Sequence, residues 1–245
     1  MKILALIRST LSIFVLFPIV TFVLCLAAFF AVFIARSERL SNKVIIAWGK
    51  TGCFLFGVKV RVIGREKRTH SGGVVLFNHR SFFDILALYS QFPEMRFGAK
   101  IELFSIPIFG ATMKALGTLP IARANREAAI RVLQDSYEAA RRGRQYALSP
   151  EGGRNTGEGI LPFKAGPFMV AIEAGVPVIP LLIYGADKVW PKSKIIPATD
   201  AWSSTITMQV LDPIPVEGYT VKTRDQLQAI TRERMITALS EFSNR

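Results

Sequence analysis

Histidine and cysteine are scarce in this chain, with two of each among 245 residues. His70 and His79 are too few for a histidine-rich metal site. Cys25 and Cys53 give neither a disulfide framework nor metal-ligand spacing. The phosphate loop GxxxxGK[ST], the dinucleotide turn GxGxxG and the nucleophile elbow GxSxG are all missing. Acidic residues are also few, 18 against 31 Lys and Arg, which leaves a net charge of +13. No internal repeat or low-complexity segment occurs. The most telling absence is of charge itself: no charged residue stands between Ser9 and Ala35.

That gap frames an apolar run, Leu11–Ala35, longer than the roughly 20 residues needed to cross a bilayer as a helix. A cleaved signal would have an apolar region of about 7–15 residues ending in small residues. Here the run ends Ile34-Ala35-Arg36, so a retained membrane anchor is the expectation. Pro18 inside the run can kink it, which leaves a bent or re-entrant anchor open. Arg36, Arg39, Lys43 and Lys50 follow directly, where they would meet anionic headgroups. Bases beside an anchor favour the cytoplasmic leaflet, which predicts attachment to the cytoplasmic face of the cell (inner) membrane. A net positive chain can also bind nucleic acid, but these bases form no recognised reading motif. No nucleic-acid partner is expected.

The length suits one substantial domain plus an anchor. The expected division is an anchoring segment over residues 1–57 and a globular domain over 58–245. Ser41–Phe56 reads as a partly amphipathic helix, with Trp48 and Phe54 either at an interface or packed on the body. Beyond it, strands and helices alternate. Val58–Ile63, Val74–Phe77, Met95–Lys100, Thr118–Ala122, Tyr146–Leu148, Val178–Ile183 and Thr205–Val210 read as strands. Helices are expected at Ser81–Phe92, Phe104–Leu116 (after a break at Pro107), Arg126–Arg142, Ala165–Ala174 and Thr223–Phe242. Such alternation predicts an α/β fold, a largely parallel sheet flanked by helices, behind the N-terminal helical anchor.

The sharpest local signal is Asn78-His79-Arg80-Ser81-Phe82-Phe83-Asp84, at the end of one predicted strand and the start of a helix. Sites in α/β sheets tend to form at the carboxyl ends of strands. His79 and Asp84 are five residues apart, about 140° on a regular helix, so they meet only if His79 sits in the turn. The carboxylate would then hold one ring nitrogen and leave the other free to take a proton. With no serine or cysteine nucleophile paired to it, such a histidine would act directly on a substrate hydroxyl. A second reading stays open: Ser81-Phe82-Phe83-Asp84 fits a helix capping box, S-x-x-D. The two roles can coexist.

Asn78-His79 with Asp84 resembles the NHxxxxD signature of the glycerolipid acyltransferases, and the bacterial 1-acylglycerol-3-phosphate acyltransferases most of all. Three further segments fall in the family's order. Lys100-Ile101-Glu102-Leu103, through Pro107 and Gly110 to Gly117-Thr118-Leu119-Pro120-Ile121-Ala122-Arg123, is similar to the second block. Ser149-Pro150-Glu151-Gly152-Gly153-Arg154 resembles the third, usually FPEGTR, with Ser149 and Gly153 as departures. Val176-Pro177-Val178-Ile179-Pro180 is similar to the fourth.

The resemblance implies His79 and Asp84 as catalytic residues. It implies Arg123, Glu151, Gly152, Gly153 and Arg154 as acceptor-binding residues. Physical chemistry is compatible with those roles. The arginines offer planar, permanently charged forks for a phosphate, the glycines a sharp turn with exposed N–H groups, and Glu151 an acceptor for a hydroxyl. A local ion pair between Glu151 and Arg154 is the bland alternative. The implied reaction moves an acyl chain from a thioester, on coenzyme A or acyl carrier protein, to the 2-hydroxyl of 1-acyl-glycerol-3-phosphate. Neither metal nor prosthetic group is required. The expected partners are that lysophospholipid, the acyl-CoA or acyl carrier protein, and anionic membrane lipid. The rivals are an acyltransferase for another lysolipid, such as lyso-ornithine lipid, and a non-catalytic protein that binds anionic lipid.

Overall fold

The computed structural model describes residues 1–68, 72–121 and 126–243, with the backbone alone at 126–131, 133 and 243. Seven strands form one sheet: β1 Val58–Ile63, β2 Val74–Phe77, β3 Arg96–Lys100, β4 Leu119–Ile121, β5 Tyr146–Leu148, β6 Val178–Tyr184 and β7 Ser204–Val210. Their order is β1-β7-β6-β2-β5-β3-β4. Every neighbouring pair is parallel except β6–β7.

Strands β2 and β6 are apolar on both faces because helices cover both. Val75 and Phe77 point into a core with Phe56, Phe83, Leu86 and Ile206. Their neighbours Val74 and Leu76 point the other way, toward Phe168, Val170 and Leu227. This is the period-2 alternation of a strand buried twice over. On the first face, helix Glu38–Leu55 lies close against helix Phe83–Gln91, and Gly49 permits it. A Cβ there would come within 2.5 Å of the Ser90 nitrogen. Ser37 caps the first of these helices, its Oγ accepting from the Leu40 N–H at 3.2 Å.

The expected helix Phe104–Leu116 divides in two, a 3₁₀ turn over Ile101–Ser105 and an α-helix over Phe109–Ala115. Pro107 is the cause, since it disfavours helix in the residue before it and offers no N–H. A short helix, Ala186–Val189, follows β6 where none was expected.

The apolar run forms one continuous helix, Lys2–Ile34, long and apolar enough to cross a membrane. Pro18 does not break it. The helix widens to π-helical turns at Ser12–Leu16, just before the proline, where a missing N–H is most easily absorbed. At about 1.5 Å per residue the helix is about 50 Å long, and it lies along the body rather than projecting from it. Ser9 Oγ donates to the Ala198 carbonyl at 3.2 Å, and Ser12 Oγ to the Leu55 carbonyl at 2.9 Å. Phe17 packs on Trp48, Phe56 and Phe82. Trp48 Nε1 donates to Thr21 Oγ1 at 3.0 Å, and Cys25 Sγ reaches Thr112 Oγ1 at 3.9 Å. Small and polar side chains therefore face the protein, while Ile7, Phe14, Phe22, Leu26 and Phe30 face outward, exposed.

Candidate active site

Strands β2, β5 and β6 are mutually parallel, so their carboxyl ends open on one edge of the sheet. The turn after β2 carries His79, and the loop after β5 carries Glu151 and Arg154. This is the edge at which open α/β sheets form their sites.

Asn78 launches the turn. Its Nδ2 donates to the Ile183 carbonyl at 3.0 Å, and its Oδ1 accepts from the Ile183 N–H at 2.7 Å. The side chain thus extends the β2–β6 ladder by one rung and fixes where His79 leaves the sheet. Asp84 lies in the first turn of helix Phe83–Gln91 and folds back. Its Oδ2 is 2.8 Å from His79 Nδ1, and also accepts from the N–H groups of Arg80 at 2.7 Å and Ser81 at 2.8 Å. The bond from Ser81 is the carboxylate half of a capping box. Pairing with the histidine and capping therefore coexist on one oxygen. Oδ1 is buried and has no hydrogen-bond partner among the described residues.

The environments of the two side chains differ in a useful way. The Asp84 side chain is wholly buried, whereas that of His79 is 20% exposed. With Nδ1 held by the carboxylate, Nε2 is the nitrogen left for a substrate. Phe77 packs edge-on against the imidazole at 5.7 Å, and Phe82 and Phe83 pack on Trp190, whose carbonyl accepts from Ser81 Oγ at 3.0 Å. The turn is enclosed by apolar rings and joined to the chain after β6.

Across the edge, the loop after β5 turns sharply at Gly152, whose φ of +78° favours glycine. The Gly152 N–H is consumed by that turn, donating to the Ser149 carbonyl at 3.3 Å, so it does not offer itself to an anion as the sequence suggests. Gly153 is half-buried beside it. Arg154 is exposed and has no hydrogen bond or ion pair among the described residues. A Glu151–Arg154 ion pair does not form. Glu151 is buried instead, with Oε2 accepting from Asn155 Nδ2 at 3.0 Å and the Leu161 N–H at 2.9 Å. Its Oε1 lies 3.4 Å from the His79 N–H. Burial pushes the Glu151 carboxyl above its ordinary range, and the bonds from Leu161, Asn155 and His79 pull partly against that rise. Arg123 lies outside the described residues.

Sequence reading passed over two residues that the structure brings to the site. Asn155 is buried, and its N–H donates to the His79 carbonyl at 2.7 Å. Arg80 pairs with Asp187 at 3.1 Å and contributes positive potential at Glu151. A polar residue just after a glycine turn was the available signal for Asn155. For Arg80 there was none, because its partner lies over a hundred residues away.

Residues 59–184 match the acyltransferase family. The chain is 32% identical to the 1-acyl-sn-glycerol-3-phosphate acyltransferase of Haemophilus influenzae, over 84% of this chain and 85% of that one. A putative 1-acyl-sn-glycerol-3-phosphate acyltransferase of Caenorhabditis elegans is 31% identical over 78% of this chain and 68% of its own. Among solved structures, the 1-acyl-sn-glycerophosphate (LPA) acyltransferase PlsC of Thermotoga maritima superposes with a TM-score of 0.80 at 22% identity, covering 100% of this chain and 97% of that one. That likeness fixes the fold, and the sequence matches fix the lineage: the chain belongs to the acyltransferase family.

Proposed function

We propose that this protein transfers a fatty acyl chain from a thioester to the 2-hydroxyl of 1-acyl-glycerol-3-phosphate, forming phosphatidic acid for phospholipid biosynthesis. The similarity along most of the chain to enzymes named for that acceptor supports the reaction. The observation that carries the chemistry is the 2.8 Å contact of His79 Nδ1 with a buried Asp84 carboxylate, on an imidazole that is still partly open.

His79 Nε2 takes the proton of the acceptor hydroxyl as its oxygen attacks the thioester carbonyl. Asp84 stabilises the imidazolium that results. Collapse of the tetrahedral intermediate breaks the carbon–sulfur bond, and the imidazolium returns its proton to the departing thiolate. Arg154 and Arg123 hold the acceptor phosphate, for which planar forks of permanent charge are suited. The donor thioester is carried by coenzyme A or acyl carrier protein. Residues 1–57 form the anchoring segment, and 58–245 the catalytic domain.

Membrane attachment follows from the N-terminal helix. Its inward face is committed to the body, so its outward apolar face enters one leaflet with the long axis near the membrane plane. The basic residues after it, Arg36 to Lys50, face anionic headgroups on the cytoplasmic side.

An acyl-transfer assay with lysophosphatidate, lyso-ornithine lipid and several acyl thioesters separates the readings. Phosphatidate is the expected product. Transfer to lyso-ornithine lipid alone would reassign the acceptor, and no transfer to either would favour a non-catalytic lipid-binding protein. Attachment is checked by sedimentation. The protein should stay with membranes in high salt, and Phe22→Glu with Leu26→Glu should make it salt-sensitive, because only screened headgroup contacts remain. Release of the unaltered protein by salt alone would refute apolar insertion.

A further inference from the structure

The peptide groups on both sides of the His79 Cα are tied to a single loop. The His79 N–H points to Glu151 Oε1 at 3.4 Å, a long contact, and the His79 carbonyl accepts from the Asn155 N–H at 2.7 Å. The two loop residues are joined to each other by Asn155 Nδ2, which donates to Glu151 Oε2 at 3.0 Å. Asn155 is also locked in its own turn: Nδ2 donates to the Gly159 carbonyl at 3.0 Å, and Oδ1 accepts from the Gly157 N–H at 2.8 Å. Both side chains are under a tenth exposed, Asn155 at 3% and Glu151 at 7%.

An outer fastening lies beyond the segment matched to the family. Arg232, on helix Arg224–Ser243, donates from Nη2 to the Ile160 carbonyl at 2.6 Å and from Nε to the Leu161 carbonyl at 3.2 Å. The N–H of that same Leu161 donates to Glu151 Oε2.

The direction of an imidazole is set by its ring contacts and by the dihedrals of its own backbone. Asp84 settles the first. Nothing in the turn Asn78–Ser81 settles the second alone, because the His79 N–H and carbonyl find no partner within it. We propose that Asn155, acting with Glu151, is a positioning residue for His79: together they latch the histidine's backbone so that Nε2 faces the acceptor hydroxyl. A carboxylate suits the Glu151 place because both oxygens receive N–H groups and neither has to donate. The expected role of Glu151 as a partner for the acceptor hydroxyl gives way to a role behind the histidine. Asn155 becomes a functional residue although it touches no reacting atom.

This inference rests on His79 as the acid–base residue, so His79→Ala is the control. Steady-state kinetics of Asn155→Ala, Glu151→Gln and the double variant, with acceptor and donor each varied, give the test. A loosened histidine should lower kcat about 10–100-fold, the scale of an ångström of misplacement. Both KM values should stay within about twofold, since no binding contact is lost. The double variant should be no worse than the worse single, because the two act as one latch. A raised acceptor KM with kcat retained would overturn the latch and make these residues part of the acceptor site. So would wild-type kcat in a folded Asn155→Ala. If Asn155→Ala fails to fold, Arg232→Gln takes its place: a fall of about twofold to tenfold in kcat at unchanged KM is expected, and unchanged kcat would overturn the proposal. Activity persisting in His79→Ala would sink the acid–base reading itself, a result distinct from a silent Asn155.

Discussion

At the His79 turn, the ring, the carboxylate and the backbone are all held: Asp84 Oδ2 takes three contacts, Asn78 is stitched to β6, and both His79 peptide groups reach the opposite loop. At the Gly152–Arg154 tip of that opposite loop, between Glu151 and Asn155, a turn bond from the Gly152 N–H orders the backbone and the guanidinium lies in solvent without a partner among the described residues. The first region is held by many hydrogen bonds, and the side chain at the second is held by none among the described residues. The difference matches what each proposed task demands. Proton transfer requires reacting atoms within hydrogen-bond reach, whereas a long cation on a glycine turn can meet a phosphate over a range of positions.

The largest effect should come from breaking the rigid half. His79→Ala should leave a folded protein with acyl transfer reduced at least about 100-fold, the lower range for removing a general base. Asp84→Asn should come close to that. An asparagine oxygen can still accept from the Arg80 and Ser81 N–H groups, so the helix start should survive while the ring loses its anionic partner. Near-normal turnover in Asp84→Asn would mean that capping is the residue's main role and that His79 needs no carboxylate.

Arg154→Lys probes the adaptable half and should do less. Charge is kept but the fork is lost, so the acceptor's kcat/KM should fall clearly, about tenfold, while the donor's KM changes little. A neutral lysolipid should be affected less than lysophosphatidate. Equal losses on both acceptors would move the phosphate site elsewhere and erase the contrast between the two regions.

The rigid half was legible in sequence because its decisive contact is local. His79 and Asp84 are five residues apart, and a strand end followed by a capping pattern specifies the turn that joins them. The strands Val58–Ile63, Val74–Phe77 and Tyr146–Leu148 fall where β-branched and apolar runs place them. What escaped notice is long-range. The antiparallel entry of β7, the seating of the N-terminal helix through Ser9, Ser12 and Thr21, and the Glu151–Asn155–His79 bonds all join residues far apart in the chain. An apolar run reads as a span wherever its few polar side chains end up. Here their spacing of three to four residues, Ser9, Ser12 and then Thr21 and Cys25 further on, puts them on the face that meets the body.

The smallest effect expected is on stability, and it concerns the residue that connects the two regions. Burial raises the Glu151 carboxyl above its ordinary value, so the folded protein holds that proton more tightly than the unfolded chain does. A raised acid contributes stability in its protonated form. That contribution is complete below the unfolded value, about 4.3 for a glutamate, and is lost as pH rises through the folded value. Glu151→Gln removes the titration. Thermal melts of both proteins from acid to mildly alkaline pH should show the wild type losing ground to the glutamine variant as pH climbs through that window, with a constant difference above it. At neutral pH the ionised wild type should therefore have lost the advantage it holds in acid, while the variant turns over more slowly. The constant offset also contains the glutamine amide turned against an N–H donor, so the change with pH is the readout. A wild type that instead gained on the variant with rising pH would mean that the bonds from Leu161, Asn155 and His79 outweigh burial. Glu151 would then be a stabilising feature of the fold, and the rigidity of the His79 turn would no longer come at the expense of the protein that carries it.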